Sequence, residues 1–263
     1  VQVRTEGTPI LGLDRPADMT DGAQRVLLDH LRSENEVHAA SRAGNDQLQA
    51  RIEQFELAYR MQSTAPEAVD LASEDEGTRD LYGLNDEKTR RFGSKCLLAR
   101  RLVERGVRFV QVYSGGGHND DNWDAHGDLI FNHTRHAGRT DKPIAGLLVD
   151  LEQRGLLEET LVVWGGEFGR TTFSHDGKVA DSYGRDHHAS CFTTLLAGGG
   201  FKAGLIHGET DDFCYSVLRD EVPVHDLHAT LLHLLGIDHE QLVYRFQGRR
   251  YRLTDVHGHV VED

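Results

Sequence analysis

Residues 160–171 read Thr-Leu-Val-Val-Trp-Gly-Gly-Glu-Phe-Gly-Arg-Thr, a short apolar run that stops at paired glycines and then delivers Glu167 and Arg170. Such a run bounded by glycine predicts a strand buried on both faces, the kind that parallel sheets use. The segment before it supports that reading. Ile144, Leu147, Leu148 and Leu151 fall at helical spacing, with Pro143 near a helix start or kink and Gly155 behind them. After it, Cys191-Phe-Thr-Thr-Leu-Leu-Ala197 is a second apolar run closed by Gly198-Gly199-Gly200, and residues 224–235 return to helical spacing before Gly236. Upstream, residues 107–113 (Val-Arg-Phe-Val-Gln-Val-Tyr) alternate as a strand does and enter a glycine-rich loop. Strand and helix in alternation predict a three-layer α/β/α domain with a mostly parallel sheet over residues 85–263.

Residues 1–84 have another grammar. Thr20 and Asp21 are suited to cap a helix carrying Val26, Leu27, Leu28 and Leu31, and Leu48, Ile52, Phe55 and Tyr59 mark a second amphipathic helix with its stripe in the core. Eight acids between Glu67 and Glu87 crowd a stretch with Gly77 and Gly83, which reads as a solvated connection. A third helix spans about residues 85–106, with Phe92, Cys96, Leu98, Leu102 and Val103 inward.

The 263-residue chain has a formal charge of −14, which repels nucleic acid in the absence of a basic cluster. No apolar run approaches the roughly 20 residues of a bilayer-crossing helix, and Val1 opens on neither a charged nor an apolar leader region. Cys96, Cys191 and Cys214 are widely separated and form no CxxC pair, which disfavours a disulfide scaffold or a thiolate zinc knuckle. Of the 16 histidines, all but His30 and His38 lie at or after residue 118. Ligands of parallel sheets gather beyond the carboxyl ends of strands, so the loops there decide the chemistry.

Three of those loops carry potential ligands. Residues 114–127 contain His118, Asp120, Asp121 and the pair Asp124-Ala-His126; an aspartate and an imidazole two residues apart can chelate one ion, or simply hydrogen-bond each other. The loop 165–171 places Glu167 as a metal ligand beside Arg170, an oxyanion-binding group, or as its salt-bridge partner. The third, Gly184-Arg185-Asp186-His187-His188, holds three adjacent potential ligands and an arginine. On the late helix, His225 and His228 share a face at i, i+3 and suit metal binding or support of other ligands.

The order of these pieces resembles the alkaline-phosphatase/sulfatase superfamily, in which an Asp…His-Gly loop, a helix and a strand ending in a metal-binding motif follow one another. Val222-Pro-Val-His-Asp-Leu-His-Ala-Thr-Leu-Leu-His-Leu-Leu-Gly236 likewise resembles its late helix. More closely, Trp164-Gly-Gly-Glu-Phe-Gly-Arg-Thr171, Gly184-Arg-Asp-His-His188, Leu196-Ala-Gly-Gly-Gly-Phe-Lys-Ala-Gly204, His225-Asp-Leu-His-Ala-Thr230 and Tyr244-Arg-Phe-Gln-Gly-Arg249 resemble the exported bacterial sulfatase-like family called domain of unknown function 1501, over roughly residues 90–260.

The resemblance implies hydrolysis of a phosphate or sulfate ester, small or on a glycan, at one or two divalent ions of zinc, manganese or calcium. It implies metal ligands among Asp124, His126, Glu167, Asp186, His187, His188, His225 and His228, with Arg170 and Arg185 on the oxyanion. Phe168 stands where the superfamily has a metal-binding histidine. The superfamily's early strands, with another aspartate and the nucleophile, have no counterpart here, so the resemblance implies a C-terminal part of a longer exported protein. The rival expectation is a non-catalytic module that keeps the fold and uses its acidic face for binding.

Overall fold

The computed structural model describes residues 2–5, 7–11, 15–42, 46–115, 122–174 and 182–262, and the chain divides into two units, Val1–Val112 and Tyr113–Asp263. The first unit is helical throughout its regular structure: α1 Asp21–Ala40, α2 Asp46–Val69, α3 Glu76–Leu81 and α4 Glu87–Glu104, with a 3-10 turn at Leu71–Ser73. Side chains start three of them. The Thr20 hydroxyl accepts from the Ala23 amide at 3.2 Å, Asp75 from Thr78 at 2.9 Å and Asp86 from Lys88 at 2.8 Å, each satisfying an amide that lacks a helical partner.

The expected apolar stripe of α1 is not core. No α1 residue is buried, and Val26 and Val37 are 70% and 71% exposed. Polar contacts join α1 to α2: Arg25 grips Glu56 through both terminal nitrogens at 3.2 and 2.9 Å and lies over the Tyr59 ring, and Gln24 donates to Gln62. Ile52 is buried on α2 while Phe55 is exposed, and the Leu48 side chain lies outside the described residues. The core of this unit forms instead around α4, from Tyr82, Leu84, Cys96, Leu97, Leu98 and Ala99. Gly93 is required there, because a Cβ would sit 2.1 Å from the Tyr82 carbonyl oxygen. Burial pushes the Cys96 thiol up to about 12, which leaves it an inert packing group.

The acid-rich stretch departs most from expectation. Its acids are exposed as expected except Glu74, but the stretch is largely helical and not a loop, and the Glu74 side chain is turned inward, with Arg100 and Arg101 of α4 on its two oxygens. Both arginines point into the unit, and a buried guanidinium needs a carboxylate.

Among the described residues, the second unit contains α5 Leu129–Gln153, a 3-10 turn Leu157–Glu159, eight short strands and α6 Val224–Leu234. It keeps the mixed α/β class but not the mostly parallel, three-layer sheet. The strands form four separate antiparallel pairs: β1 Val162–Trp164 with β4 Leu195–Ala197, β2 Gly169–Ser174 with β3 Arg185–His188, β5 Glu209–Thr210 with β6 Val217–Arg219, and β7 Val243–Phe246 with β8 Arg249–Arg252. Parallel neighbours need a crossover of a dozen or more residues, usually a helix. After β1 the chain instead passes through Gly165-Gly166, bends at Glu167-Phe168 and enters β2, and no helix separates β1 from β4 among the described residues. The expected strand at residues 107–113 is also not one, and Phe109 there is largely exposed.

α5 begins at Leu129, earlier than its apolar stripe alone marks, and passes through Pro143. Its start is tied to the chain before β3: the Asp128 and Leu129 amides donate to the Ser182 and Tyr183 carbonyls. Among the described residues no helix is long and apolar enough to cross a membrane.

Candidate metal centre

The loop that follows residue 121 is held from three directions. Asp124 donates its amide to the Asn122 side chain at 2.8 Å, a local turn that presents the Asp124 carboxylate outward. The Trp123 indole lies 5.6 and 5.3 Å from the His133 and His136 rings of α5 and donates to the Ser114 hydroxyl, and the Asn132 side chain donates to the Asn122 carbonyl. On the other side the Arg185 amide donates to the Ala125 carbonyl at 3.0 Å. Gly184 is pressed on the loop so closely that a Cβ would lie 2.0 Å from the His126 carbonyl carbon and 2.3 Å from the Gly127 nitrogen.

The β2–β3 pair supplies the facing groups. Arg170 and His187 are cross-strand partners, and directly opposed residues project from the same face. Both reach one atom, Asp124 Oδ1, with Arg170 donating at 2.6 Å and His187 Nε2 at 3.0 Å. His126 Nε2 lies 3.0 Å from the same oxygen. Asp124, His126 and His187 thus offer a carboxylate oxygen and two imidazole nitrogens within 4.8 Å of one another.

The alternation of a strand resolves the histidine doublet. His188, one residue on, turns away, with its Nε2 2.6 Å from the Tyr215 carbonyl oxygen and its ring stacked on Tyr215. Glu167 reaches Arg170 at 3.5 Å and is largely exposed. Asp186 accepts the His187 amide, and its carboxylate lies 3.9 Å from His126 Nδ1, on the far side of that ring from Asp124. Arg185 donates to the Thr171 carbonyl at 2.7 Å. His225 packs against His257, and His225 and His228 lie on α6 outside the three-residue group. His118, Asp120 and Asp121 fall outside the described residues.

The donor set fits a divalent ion of intermediate softness. Tetrahedral zinc with bonds of about 2.0–2.1 Å places neighbouring donors about 3.3 Å apart. The two imidazole-to-Oδ1 separations of 3.0 Å approach that edge, and the third is no more than 4.8 Å. Two imidazoles suit zinc or manganese better than calcium, which prefers an all-oxygen shell. Phe168 packs its ring 4.7 Å from that of His187, an apolar wall on that side of the group.

The electrostatics keep the carboxylate ready. Desolvation raises the Asp124 pKa, but the His187 and Arg170 hydrogen bonds, with the charges of Arg170 and His126, outweigh it and hold the carboxyl down at about 2. Because the folded value is depressed, these contacts stabilise the fold above the ordinary aspartate range and lose that effect as pH falls towards 2. The group is 37% exposed, so solvent trims their weight. The Asp124 carboxyl carbon resonance is therefore expected to stay flat from pH 8 to about 3.5 while exposed aspartates titrate. A midpoint at or above about 4 contradicts the assigned contacts.

Three elements of this site carried no local signal: the Arg170–Asp124 bond, which joins residues 46 positions apart, the Trp123 anchor on α5, and the Phe168–His187 contact. The glycine of Gly184-Arg-Asp-His-His188 was visible, but its role against His126 depends on how the loop returns. Compared with known proteins, the chain matches the family described as Protein of unknown function (DUF1501) over residues 1–263. No curated protein and no solved structure matches it.

Proposed function

The chain belongs to the family described as Protein of unknown function (DUF1501), and from that premise and the geometry around Asp124 we propose a metal-dependent hydrolase of phosphate or sulfate esters. The observation that carries this reading is the convergence of Asp124, His126 and His187 beside Arg170. Three protein ligands with a coordination position left over is the pattern of catalytic rather than structural sites. A divalent cation held by Asp124, His126 and His187 would supply Lewis-acid chemistry, activating a water and polarising an ester oxygen. The chain's own residues do the remainder. Asp186 lies 3.9 Å from the second nitrogen of His126 and sets a negative charge beside that ring, and Arg170 and Arg185 supply guanidinium groups for the non-bridging oxygens of a tetrahedral anion. Glu167 is placed to steady Arg170. The resemblance to alkaline phosphatases and sulfatases agrees with this assignment, as does export in that family.

One observation favours a second reading. Phe168 against His187 limits the ligand set on that side and supports a single ion, compatible with a non-catalytic module that keeps the metal. The test separates the two. The full-length protein, stripped of metal, is titrated with zinc, manganese and calcium, and then assayed on aryl phosphates and aryl sulfates. One equivalent of zinc or manganese is expected to bind, with Asp124→Asn weakening it by more than about 100-fold, the upper end of what loss of a supporting residue costs. Metal-dependent turnover that Asp124→Asn abolishes supports the hydrolase. Binding without turnover on either ester class leaves the metal module, and no stoichiometric metal sinks both.

A further inference from the structure

The Asp124 carboxylate is claimed by two kinds of partner at once. Its Oδ1 is the atom at which both imidazoles converge, His126 Nε2 and His187 Nε2 each 3.0 Å away, and the same atom accepts the Arg170 guanidinium at 2.6 Å. The oxygen has room for few partners, and a divalent ion bonded to it would bring like charge against the guanidinium. Arg170 also has somewhere else to go: its other terminal nitrogen already faces the exposed Glu167 at 3.5 Å, and its ring neighbour Phe168 lies 6.0 Å from the guanidinium carbon.

We infer that Arg170 is the built-in counter-cation of the metal-free site, and that a metal ion must displace it from Asp124 Oδ1 to bind. The inference rests on the metal reading above and adds a regulation to it. The guanidinium holds the Asp124 carboxylate in place without metal, and on loading it moves towards Glu167 and the open side of the site. Oxyanion binding at Arg170 is thereby coupled to metal occupancy, because the arginine is engaged until the metal arrives. Arg170 so acts as a positioning residue in one state and becomes available to an anion in the other.

The test is competition for zinc against a chromophoric chelator, on the full-length protein, wild type beside Arg170→Gln. If Arg170 competes with the metal, Arg170→Gln binds zinc at least tenfold more tightly. Equal or weaker binding overturns the inference, since Arg170 would then only steady the ligand. Should Arg170→Gln fail to fold, the wild type decides by nuclear magnetic resonance. The guanidinium proton bonded to Asp124 is expected to lose its protection with the first equivalent of zinc, and its persistence in the loaded protein overturns the inference. Failure of the underlying reading looks different: wild type and variant alike then bind no zinc that Asp124→Asn removes.

Discussion

Glu74→Ala is expected to destabilise the helical unit by about 3–5 kcal/mol, the cost of leaving a buried charge without its partner. The Glu74 side chain is 8% exposed, and those of Arg100 and Arg101 are 1% and 5% exposed. One carboxylate oxygen meets Arg100 at 2.8 Å and the other meets Arg101. Arg101 keeps other acceptors, the Ala68 and Glu67 carbonyls at 2.8 and 2.6 Å, and Arg100 keeps Glu104. The two cations would still lie side by side in the interior without the anion between them. Burial alone would raise the Glu74 pKa, but the two arginines outweigh it and hold it below the usual glutamate range. With a depressed folded value, the contribution is complete above that range and disappears as pH falls through the lowered pKa. Glu67→Ala is the comparison. Glu67 pairs with Arg105 at the surface, 71% exposed, and its loss should cost under about 1 kcal/mol. Urea unfolding followed by far-ultraviolet circular dichroism measures both. If Glu74→Ala costs no more than Glu67→Ala, the buried network is not what holds this unit together.

The same residue shows where reading the chain fails and why. Eight acids near two glycines have the composition of a loop, and composition is blind to Arg101, which lies 27 residues beyond Glu74. The signal was in α4, where Arg100 and Arg101 interrupt the apolar run Cys96-Leu-Leu-Ala99 and continue its inward face. The starts of α1 and α4 were legible because their information is local: Thr20 and Asp86 cap the ends that hydroxyl and carboxylate groups select. The sense of strand pairing was not. Apolar runs such as residues 160–164 and 191–197 state burial and say nothing about direction, and Val162–Trp164 in fact runs antiparallel to Leu195–Ala197. Nor did the runs stay buried, as Val163, Trp164 and Leu195 remain about half exposed.

The site was legible to the extent that strand alternation and loop chemistry act within a few residues. Asp124 and His126 are neighbours in one turn. His187 and His188 differ only by the side of β3 on which they fall, and the period of two sends one to Asp124 and the other to Tyr215. Which one goes where depends on the register with β2, and that register is a non-local property. The Arg170–Asp124 bond is another, so the pair read as Glu167–Arg170 along the chain is in space an Asp124–Arg170 pair with Glu167 at its edge.

Gly184→Ala should detach the His126 ligand loop from β3 and weaken zinc at least tenfold. The added Cβ would lie 2.0 Å from the His126 carbonyl carbon, 2.2 Å from its oxygen and 2.3 Å from the Gly127 nitrogen. All three are backbone atoms, so no side-chain rotation relieves the contact, and the loop must retreat by an ångström or more. Overpacking of this kind typically costs about 1–3 kcal/mol. The retreat breaks the Arg185-to-Ala125 hydrogen bond and carries His126 away from Asp124 Oδ1, which a metal tolerates poorly because its bond lengths are fixed within about 0.2 Å. Gly166→Ala controls for the loss of a glycine as such. Its Cβ would meet nothing within 4 Å, and it is expected to change stability by less than about 0.5 kcal/mol and zinc affinity not at all. Chelator competition and thermal unfolding of the two variants make the comparison. Zinc affinity in Gly184→Ala equal to that in Gly166→Ala would mean that His126 does not owe its place to this contact, and the three-residue centre would have to be rebuilt around another support.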